Sequence, residues 1–242
     1  MENAPQLELF NEADVRRILV VVAHPDDAEY GTSAAVAHWT SRGIEVGYLL
    51  LTAGEAGMKR PPEEAGPLRA VEQENACRIV GVNHLTILDF PDGMLEYGLP
   101  LRRAIAREIR RFRPDAVVSG SGELHVAWGI DHADHRAAGL ATIDAVRDAD
   151  NRWVFRDLHR EGLDPWGATW LLLTGTRPTH YVELAAEAER RGIESLSAHE
   201  AYLADLPWHP APKDLVSGIL KQQGELVGVD RAATFAAHRL RG

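Results

Sequence analysis

Short apolar runs alternate with longer amphipathic segments over the first half of this 242-residue chain. The run at residues 18–22 is continuous and aliphatic, which is typical of a strand buried on both faces. The other predicted elements of this half are strands at 46–52, 84–90 and 116–119 and helices at 32–41, 68–80 and 101–112. A β-α-β order of this kind requires right-handed crossovers. It predicts an α/β fold, a Rossmann-like and mostly parallel sheet with helices on both faces in a three-layer αβα sandwich.

The second half of the chain has a less regular pattern. The segment at 131–150 contains a predicted helix, further helices are predicted at 193–206 and 215–227, and strands at 170–174 and 180–184. No linker separates the two halves. We therefore expect a single domain over residues 1–242, in which the part from about residue 207 forms a helical extension too short to fold alone.

Composition limits the partners that this chain can take. The formal net charge of -10 opposes duplex nucleic acid and anionic membranes, because binding to phosphate requires a cationic excess. A small neutral or cationic molecule is expected instead. The single cysteine, Cys77, lies in an apolar helical pattern and is expected to be a buried structural thiol. No apolar run approaches the ~20 residues that span a bilayer, and no leader is recognised, so a cytoplasmic location is expected.

The sequence Ala-His-Pro-Asp-Asp at residues 23–27 directly follows the first predicted strand. Open α/β sheets place their sites on loops at the carboxyl ends of strands. One imidazole and two carboxylates within a single turn suit a metal centre in which His24 and Asp27 bind the ion and Asp26 stays free to move protons. The plain alternative is that both aspartates only cap the following helix.

A second polar group stands at the start of the helix in the 131–150 segment. His132 and His135 are separated by three positions, so both side chains point to the same side of one helical turn. One of them can supply a third metal ligand, and three protein ligands with an open position are typical of catalytic zinc sites. Asp131, by contrast, is favoured as a simple helix cap.

Five sequence blocks in order resemble the PIG-L or LmbE-like zinc-dependent N-deacetylases, which remove acetyl groups from N-acetylglucosaminyl compounds. The blocks are residues 23–27, residues 51–57, Arg69 with Glu72, Ala76 and Gly81, residues 88–93, and residues 132–139. Together they cover most of the chain. The resemblance implies the N-deacetylase fold and, as a weaker consequence, a homo-oligomer.

The same resemblance assigns roles to individual residues. It implies that His24, Asp27 and His135 bind Zn²⁺, that Asp26 is the general base, and that His132 is the electrostatic and proton-donating partner. We expect Asp134 or another carboxylate to orient His132, since a charged imidazole needs a carboxylate beside it. Arg69 and Asp92 match positions that hold sugar hydroxyls, although Arg69 could equally form an ion pair with Glu72.

The predicted function is hydrolysis of an N-acyl bond, most simply the N-acetyl amide of an amino-sugar derivative, by metal-activated water with Asp26 as the base. Two alternatives stay open: an amidase for a larger glucosaminyl conjugate such as a thiol conjugate, and a non-catalytic module that binds zinc or carbohydrate. Asp26, which the ion does not need as a ligand, favours an enzyme. A dinucleotide-dependent oxidoreductase is disfavoured because no Gly-x-Gly-x-x-Gly turn follows the first strand.

Overall fold

The computed structural model describes residues 7–127 and 129–241. The strands are β1 (Glu8–Leu9), β2 (Arg17–Val22), β3 (Glu45–Leu50), β4 (His84–Ile87), β5 (Ala116–Gly120), β6 (His125–Val126), β7 (Gly129–Ile130), β8 (Trp170–Thr174), β9 (His180–Glu183) and β10 (Ala232–Arg239). The helices are α1 (Asp27–Gly31), α2 (Ser33–Ser41), α3 (Pro62–Val80), α4 (Leu99–Phe112), α5 (Ala133–Asp150), α6 (Arg156–Arg160), α7 (Ala186–Ser197), α8 (Glu200–Ala204) and α9 (Pro212–Glu225).

Eight strands form one sheet in the order β1-β9-β10-β8-β5-β2-β3-β4. The five strands from β8 to β4 run parallel, and β10 pairs antiparallel with both of its neighbours. Side chains of β2 alternate between two cores: Ile18 packs in the cluster that contains Trp39, and Leu19 packs in the cluster that contains Ile105. Because helices cover both faces, the predicted α/β sandwich with a mostly parallel sheet is confirmed.

The chain order places a reversal point in the middle of the sheet. From β2 the chain moves outward to β3 and β4, then returns to place β5 on the other side of β2. The loops that leave β2 and β5 therefore diverge to opposite faces and open a crevice at the carboxyl ends of these two strands, which is the usual position of sites in such sheets. His24 follows β2, and His132 and His135 follow β5 through a short hairpin of β6 and β7.

The helix predicted at 68–80 starts earlier, at Pro62, and contains Pro67. A proline ring within a helix removes a hydrogen bond to the carbonyl four residues earlier. That carbonyl belongs to Glu63, and both Glu63 and Pro67 are exposed, so water can satisfy the group that the proline leaves open. The predicted helix at 193–206 is also divided, into α7 and α8, with His199 at the break.

The prediction of a helical extension after residue 207 is wrong in one respect. Helix α9 is present, but the chain then returns as β10 and inserts into the sheet between β8 and β9. The strand reads Ala-Ala-Thr-Phe-Ala-Ala-His-Arg, and alanine favours helix over strand in isolation. Tertiary packing overrides this preference. The strand pairs with β8 and β9, and its alanines and Phe235 pack on the two faces of the sheet.

Cys77 is a free and buried thiol on α3, as expected, and its surroundings raise its pKa to about 12, chiefly through burial. Within residues 7–127 and 129–241, none of the helices combines the length and the apolar character that a bilayer crossing demands.

Helix α5 lies so close to the end of β5 that only glycine fits at position 139. A Cβ atom there would lie 2.5 Å from the backbone nitrogen of Gly122 and 2.7 Å from the carbonyl oxygen of Gly120. Since backbone atoms cannot move aside as a flexible side chain can, Gly139 sets the distance between the sheet and the helix that carries His132 and His135.

We expect Gly139→Ala to lower the free energy of unfolding by about 1–3 kcal/mol, the usual cost of overpacking. For a chain of this size the melting temperature falls by about 2–4 °C for each kcal/mol. Gly218→Ala is the matched control, because its Cβ meets nothing within 4 Å on the exposed side of α9. It should stabilise the helix by about 0.5–1 kcal/mol. Equal melting temperatures for the two variants by calorimetry would refute the close-packing account.

Candidate active site

The loop that leaves β2 turns sharply at Asp26, which has φ 81° and ψ -22°. This left-handed conformation is uncommon for a residue with a side chain, although aspartate tolerates it better than most. Asp27 then begins α1, and its Oδ2 accepts a hydrogen bond from the backbone N–H of His24 at 2.8 Å. The turn therefore presents an imidazole and two carboxylates from one short stretch of backbone.

Asp27 lies between two imidazole rings. Its Oδ2 is 3.4 Å from Nδ1 of His24, and its Oδ1 is 3.1 Å from Nε2 of His135. The centroids of the two rings are 5.2 Å apart. One ligand atom from each of these residues lies within 4.8 Å of the others, so a single ion can contact all three. The structure thus brings the three predicted metal ligands together.

Carboxylates also hold the opposite nitrogens of both rings. Nε2 of His24 is 3.0 Å from Oδ1 of Asp92 and 3.2 Å from Oδ2 of Asp134. Nδ1 of His135 is 3.0 Å from Oδ1 of Asp131. Metal-binding histidines commonly use this arrangement, in which a carboxylate fixes the ring and increases the basicity of the free nitrogen.

The electrostatics of the cluster call for a cation at this position. Burial alone would lower the pKa of His24, but the charge of Asp27, with the hydrogen bonds that His24 donates to the carboxylates of Asp134 and Asp92, raises it to about 12. His135 behaves similarly: burial lowers its pKa, and Asp27 and Asp131 raise it to about 9. In return, the two imidazoles hold the pKa of Asp27 well below its usual value despite burial. Two imidazole nitrogens and one carboxylate form a ligand set that fits Zn²⁺.

Asp26 is buried beside this cluster without joining it. Only 3% of the residue is exposed, and its Oδ1 is 3.1 Å from Nη2 of Arg69. Its Oδ2 has no hydrogen bond from the described part of the chain. Burial raises the pKa of Asp26 to about 7, in opposition to the charge of Arg69, which lowers it. A carboxyl group with such a pKa can accept and return a proton near neutral pH.

Arg69 is buried, and its guanidinium group contacts several other residues of the described chain. It is 2% exposed and donates hydrogen bonds to the carbonyl oxygens of Gly54 at 2.9 Å and Pro25 at 2.6 Å. Its guanidinium carbon lies 4.0 Å from the ring centroid of Tyr202. A Cβ at Gly54 would collide with the guanidinium group, so this glycine is needed for the approach. Arg69 ties the loops after β2 and β3 to helix α8, and its predicted contact with a sugar stays a prediction.

The expected partnership of Asp134 with His132 is wrong in this geometry. The carboxylate of Asp134 is fully buried and accepts hydrogen bonds from the backbone N–H groups of Gly93 at 2.7 Å and Leu95 at 3.1 Å, in addition to its contact with His24. Its hydrogen bond with His132 is made by the backbone, where the N–H of Asp134 donates to Nδ1 at 3.3 Å, although a carboxylate oxygen lies within 4.8 Å of a ring nitrogen of His132. Asp134 therefore supports His24, and His132 itself caps α5.

The imidazole of His132 faces the same centre. Its ring centroid is 5.5 Å from that of His24 and 5.4 Å from that of His135. Since Nδ1 accepts a backbone hydrogen bond, the proton of the neutral ring resides on Nε2, which is free to donate. Asp92, the other residue expected to hold substrate, is 7% exposed, and its Oδ2 accepts from the N–H of Ala56 at 2.7 Å.

Asp131 is the residue that sequence reasoning missed. We expected a helix cap, but His132 occupies the cap position, and the carboxylate of Asp131 contacts the ring of His135 instead. The available signal was its position four residues before a predicted ligand, where a carboxylate can reach the outer nitrogen of the ring. His180 does not join the cluster; its ring packs near Phe10 and Trp170, and its described polar contacts are with Thr179 and Glu8.

Comparisons with known proteins identify the family and agree with the fold. Residues 19–146 match the model of the PIG-L family, described as GlcNAc-PI de-N-acetylase. Diacetylchitobiose deacetylase of Thermococcus kodakarensis is 31% identical over 205 residues, which cover 83% of this chain and 74% of that protein. The 1D-myo-inositol 2-acetamido-2-deoxy-alpha-D-glucopyranoside deacetylase of Thermomonospora curvata is 27% identical, with coverage of 93% and 80%. The chain belongs to the PIG-L family.

A solved structure extends the likeness to the whole fold. N,N'-diacetylchitobiose deacetylase from Pyrococcus horikoshii superposes with a TM-score of 0.86 over 94% of this chain and 85% of that one, at 23% identity. At this level of identity the likeness confirms the architecture, including the central sheet with helices on both faces. The family resemblance predicted from the five sequence blocks is confirmed by the family model and by the Thermococcus kodakarensis protein.

We expect the metal-stripped protein to gain thermal stability when zinc is added, because the ion binds only the folded cluster. His135→Ala should retain no zinc after gel filtration, while His238→Ala, an exposed histidine on β10, should retain as much as the wild type.

Asp131→Asn should weaken zinc binding about 10- to 100-fold, as loss of an orienting carboxylate does. Elemental analysis and a competitive chelator titration measure these values. Full zinc content in the His135 variant would remove this residue from the ligand set.

Proposed function

We propose that this protein is a zinc-dependent hydrolase that removes the acetyl group from the nitrogen of an amino-sugar derivative. The observation that carries the proposal is the position of Asp26. Its carboxyl group is buried beside the cluster of His24, Asp27 and His135, is outside the ligand set, and has an Oδ2 that meets no hydrogen-bond partner at normal geometry in the described chain. A site that only binds metal has no use for such a group.

The choice of reaction draws support from the relatives. By their names, the proteins from Thermococcus kodakarensis and Thermomonospora curvata both deacetylate an acetylated amino sugar. The shared substrate element is the acetamide group on a sugar carbon. An acidic chain with formal charge -10 suits a substrate that is neutral before the reaction and cationic after it, because the freed amine becomes an ammonium ion.

Each step of the proposed reaction has a residue of this chain that can carry it out. His24, Asp27 and His135 would hold Zn²⁺, which supplies Lewis acidity for the amide carbonyl and for water. Asp26 accepts the proton of the attacking water at Oδ2, while Arg69 at Oδ1 keeps the carboxylate in place.

Nε2 of His132 donates a hydrogen bond to the oxyanion that develops at the amide carbon. The leaving amine then takes a proton, which Asp26 can return.

Several finer assignments belong to this proposal as predictions. Asp92 and Arg69 contact sugar hydroxyls in the family pattern, although both already have partners within the protein. A homo-oligomer and a cytoplasmic location stay predictions. The alternative of an amidase for a larger glucosaminyl conjugate uses the same catalytic residues and differs only in the acyl group that leaves.

We expect Asp26→Asn to reduce kcat about 10²- to 10⁴-fold, the usual effect of losing a general base. The amide keeps the shape of the side chain and tolerates the left-handed backbone, so zinc content and melting temperature should stay near wild-type values. Asp14→Asn, an equally conservative change at an exposed position, is the control. Turnover within tenfold of the wild type in the Asp26 variant would refute the mechanism.

The substrate class is tested by acetate release from a panel of N-acetylglucosaminyl compounds, before and after chelation and zinc restoration. We expect release that disappears with the chelator and returns with zinc. A zinc-loaded protein that releases acetate from none of them, but cleaves a larger glucosaminyl conjugate, would replace the deacetylase by the amidase. A zinc-loaded protein that cleaves none of these compounds would favour the alternative of a non-catalytic module that binds zinc or carbohydrate.

A further inference from the structure

The backbone of Asp26 is held from behind by a side chain that the mechanism does not use. Its N–H donates to Oε1 of Gln73 at 3.0 Å. Gln73 lies on α3 and is 1% exposed. A non-glycine residue in the left-handed region costs about 1–3 kcal/mol unless its surroundings hold it there. This hydrogen bond favours the observed backbone conformation at Asp26, because the N–H of Asp26 would not face α3 if the peptide were oriented differently.

The orientation of the Gln73 amide is fixed by its other end. Nε2 of Gln73 donates to Oε1 of Glu29 at 3.3 Å. A carboxylate oxygen accepts hydrogen bonds and cannot donate them, so the amide nitrogen must face Glu29 and the amide oxygen must face Asp26. A flipped amide would place oxygen against oxygen at Glu29 and nitrogen against N–H at Asp26. Both contacts therefore select one rotamer.

Glu29 is itself buried among polar side chains. It is 2% exposed on α1 and lies within reach of the hydroxyl of Ser195 on α7, which is 3.2 Å from the same Oε1. Its Oε2 is 3.7 Å from Nε2 of His199, a residue with no exposed surface. Helices α1, α3 and α7 are thus connected through one buried carboxylate, and Gln73 transmits this fixed frame to the loop of Asp26.

We infer that Gln73 is a positioning residue for Asp26, which it holds in the conformation needed for proton transfer through the hydrogen bond to the Asp26 N–H and the opposing bond to Glu29. The inference rests on the proposed role of Asp26 as the base. Arg69 fixes one carboxylate oxygen and Gln73 fixes the main chain, so that Oδ2 keeps one direction. Displacement of a reacting group by about 1 Å can cost about 10²-fold in rate.

The test begins with Gln73→Met, which keeps the length of the side chain and removes both hydrogen bonds. We expect kcat to fall about 10- to 100-fold, KM to change less than threefold, and zinc content per chain to stay at the wild-type value. Gln73→Asn, which is one methylene too short to span both partners, should behave in the same way and covers the possibility that the methionine variant fails to fold. Glu74→Gln, the exposed neighbour on the same helix, is the control and should be unchanged.

A purely structural role for Gln73 predicts a different outcome. The variants would lose melting temperature and folded fraction, while kcat per zinc-loaded chain would equal that of the wild type. That result would overturn the inference.

A double-mutant cycle gives the decisive measurement. If Gln73 acts only through Asp26, then Gln73→Met should change the residual rate of Asp26→Asn by less than threefold. An equal loss in both backgrounds would overturn the inference while leaving Asp26 as the base. Substantial activity of Asp26→Asn alone would instead refute the proposed function, so the two failures are distinguishable.

Discussion

The shared carboxylate of Asp27 is the contact on which the site depends. It accepts the backbone N–H of His24 and faces the rings of His24 and His135, so one side chain connects the loop after β2 to the helix after β5. Its charge draws positive charge into the cluster and raises the pKa of both imidazoles, to about 12 and about 9. Removal of Asp27 would therefore uncouple the two halves of the site as well as remove a ligand.

Many polar contacts lie behind the metal-binding cluster and hold its residues in place. Asp92, Asp134 and Asp131 orient imidazoles, Arg69 ties two loops to helix α8, and Gln73 holds the main chain of Asp26. Buried polar groups of this kind are costly unless they are hydrogen-bonded, and in return they fix geometry more narrowly than apolar packing does. The crevice thus owes its shape to a buried frame of hydrogen bonds that joins α1, α3 and α7 to the carboxyl ends of the strands.

The sequence predicted some elements well and others poorly, for physical reasons. The strand at residues 18–22 was recognisable because burial on both faces demands an unbroken aliphatic run. Strand β10 could not be recognised, since an alanine-rich segment has little preference for a strand by itself. Its strand form depends on pairing and packing within the sheet. The early start of α3 was not recognised either; the added turn contains Pro67, a residue whose effect on a helix depends on whether water can reach one carbonyl.

The sequence alone determined the α/β class, the family and the chemical types of the site residues, because strand periodicity and the spacing of His24, Asp27 and His135 are local properties. Only the tertiary structure decided which carboxylate serves which ring: Asp134 supports His24, and Asp131 supports His135. Such pairings join residues up to 110 positions apart, as His24 and Asp134 are, and follow from the way strands and helices pack. No pattern along the chain contains that distance information.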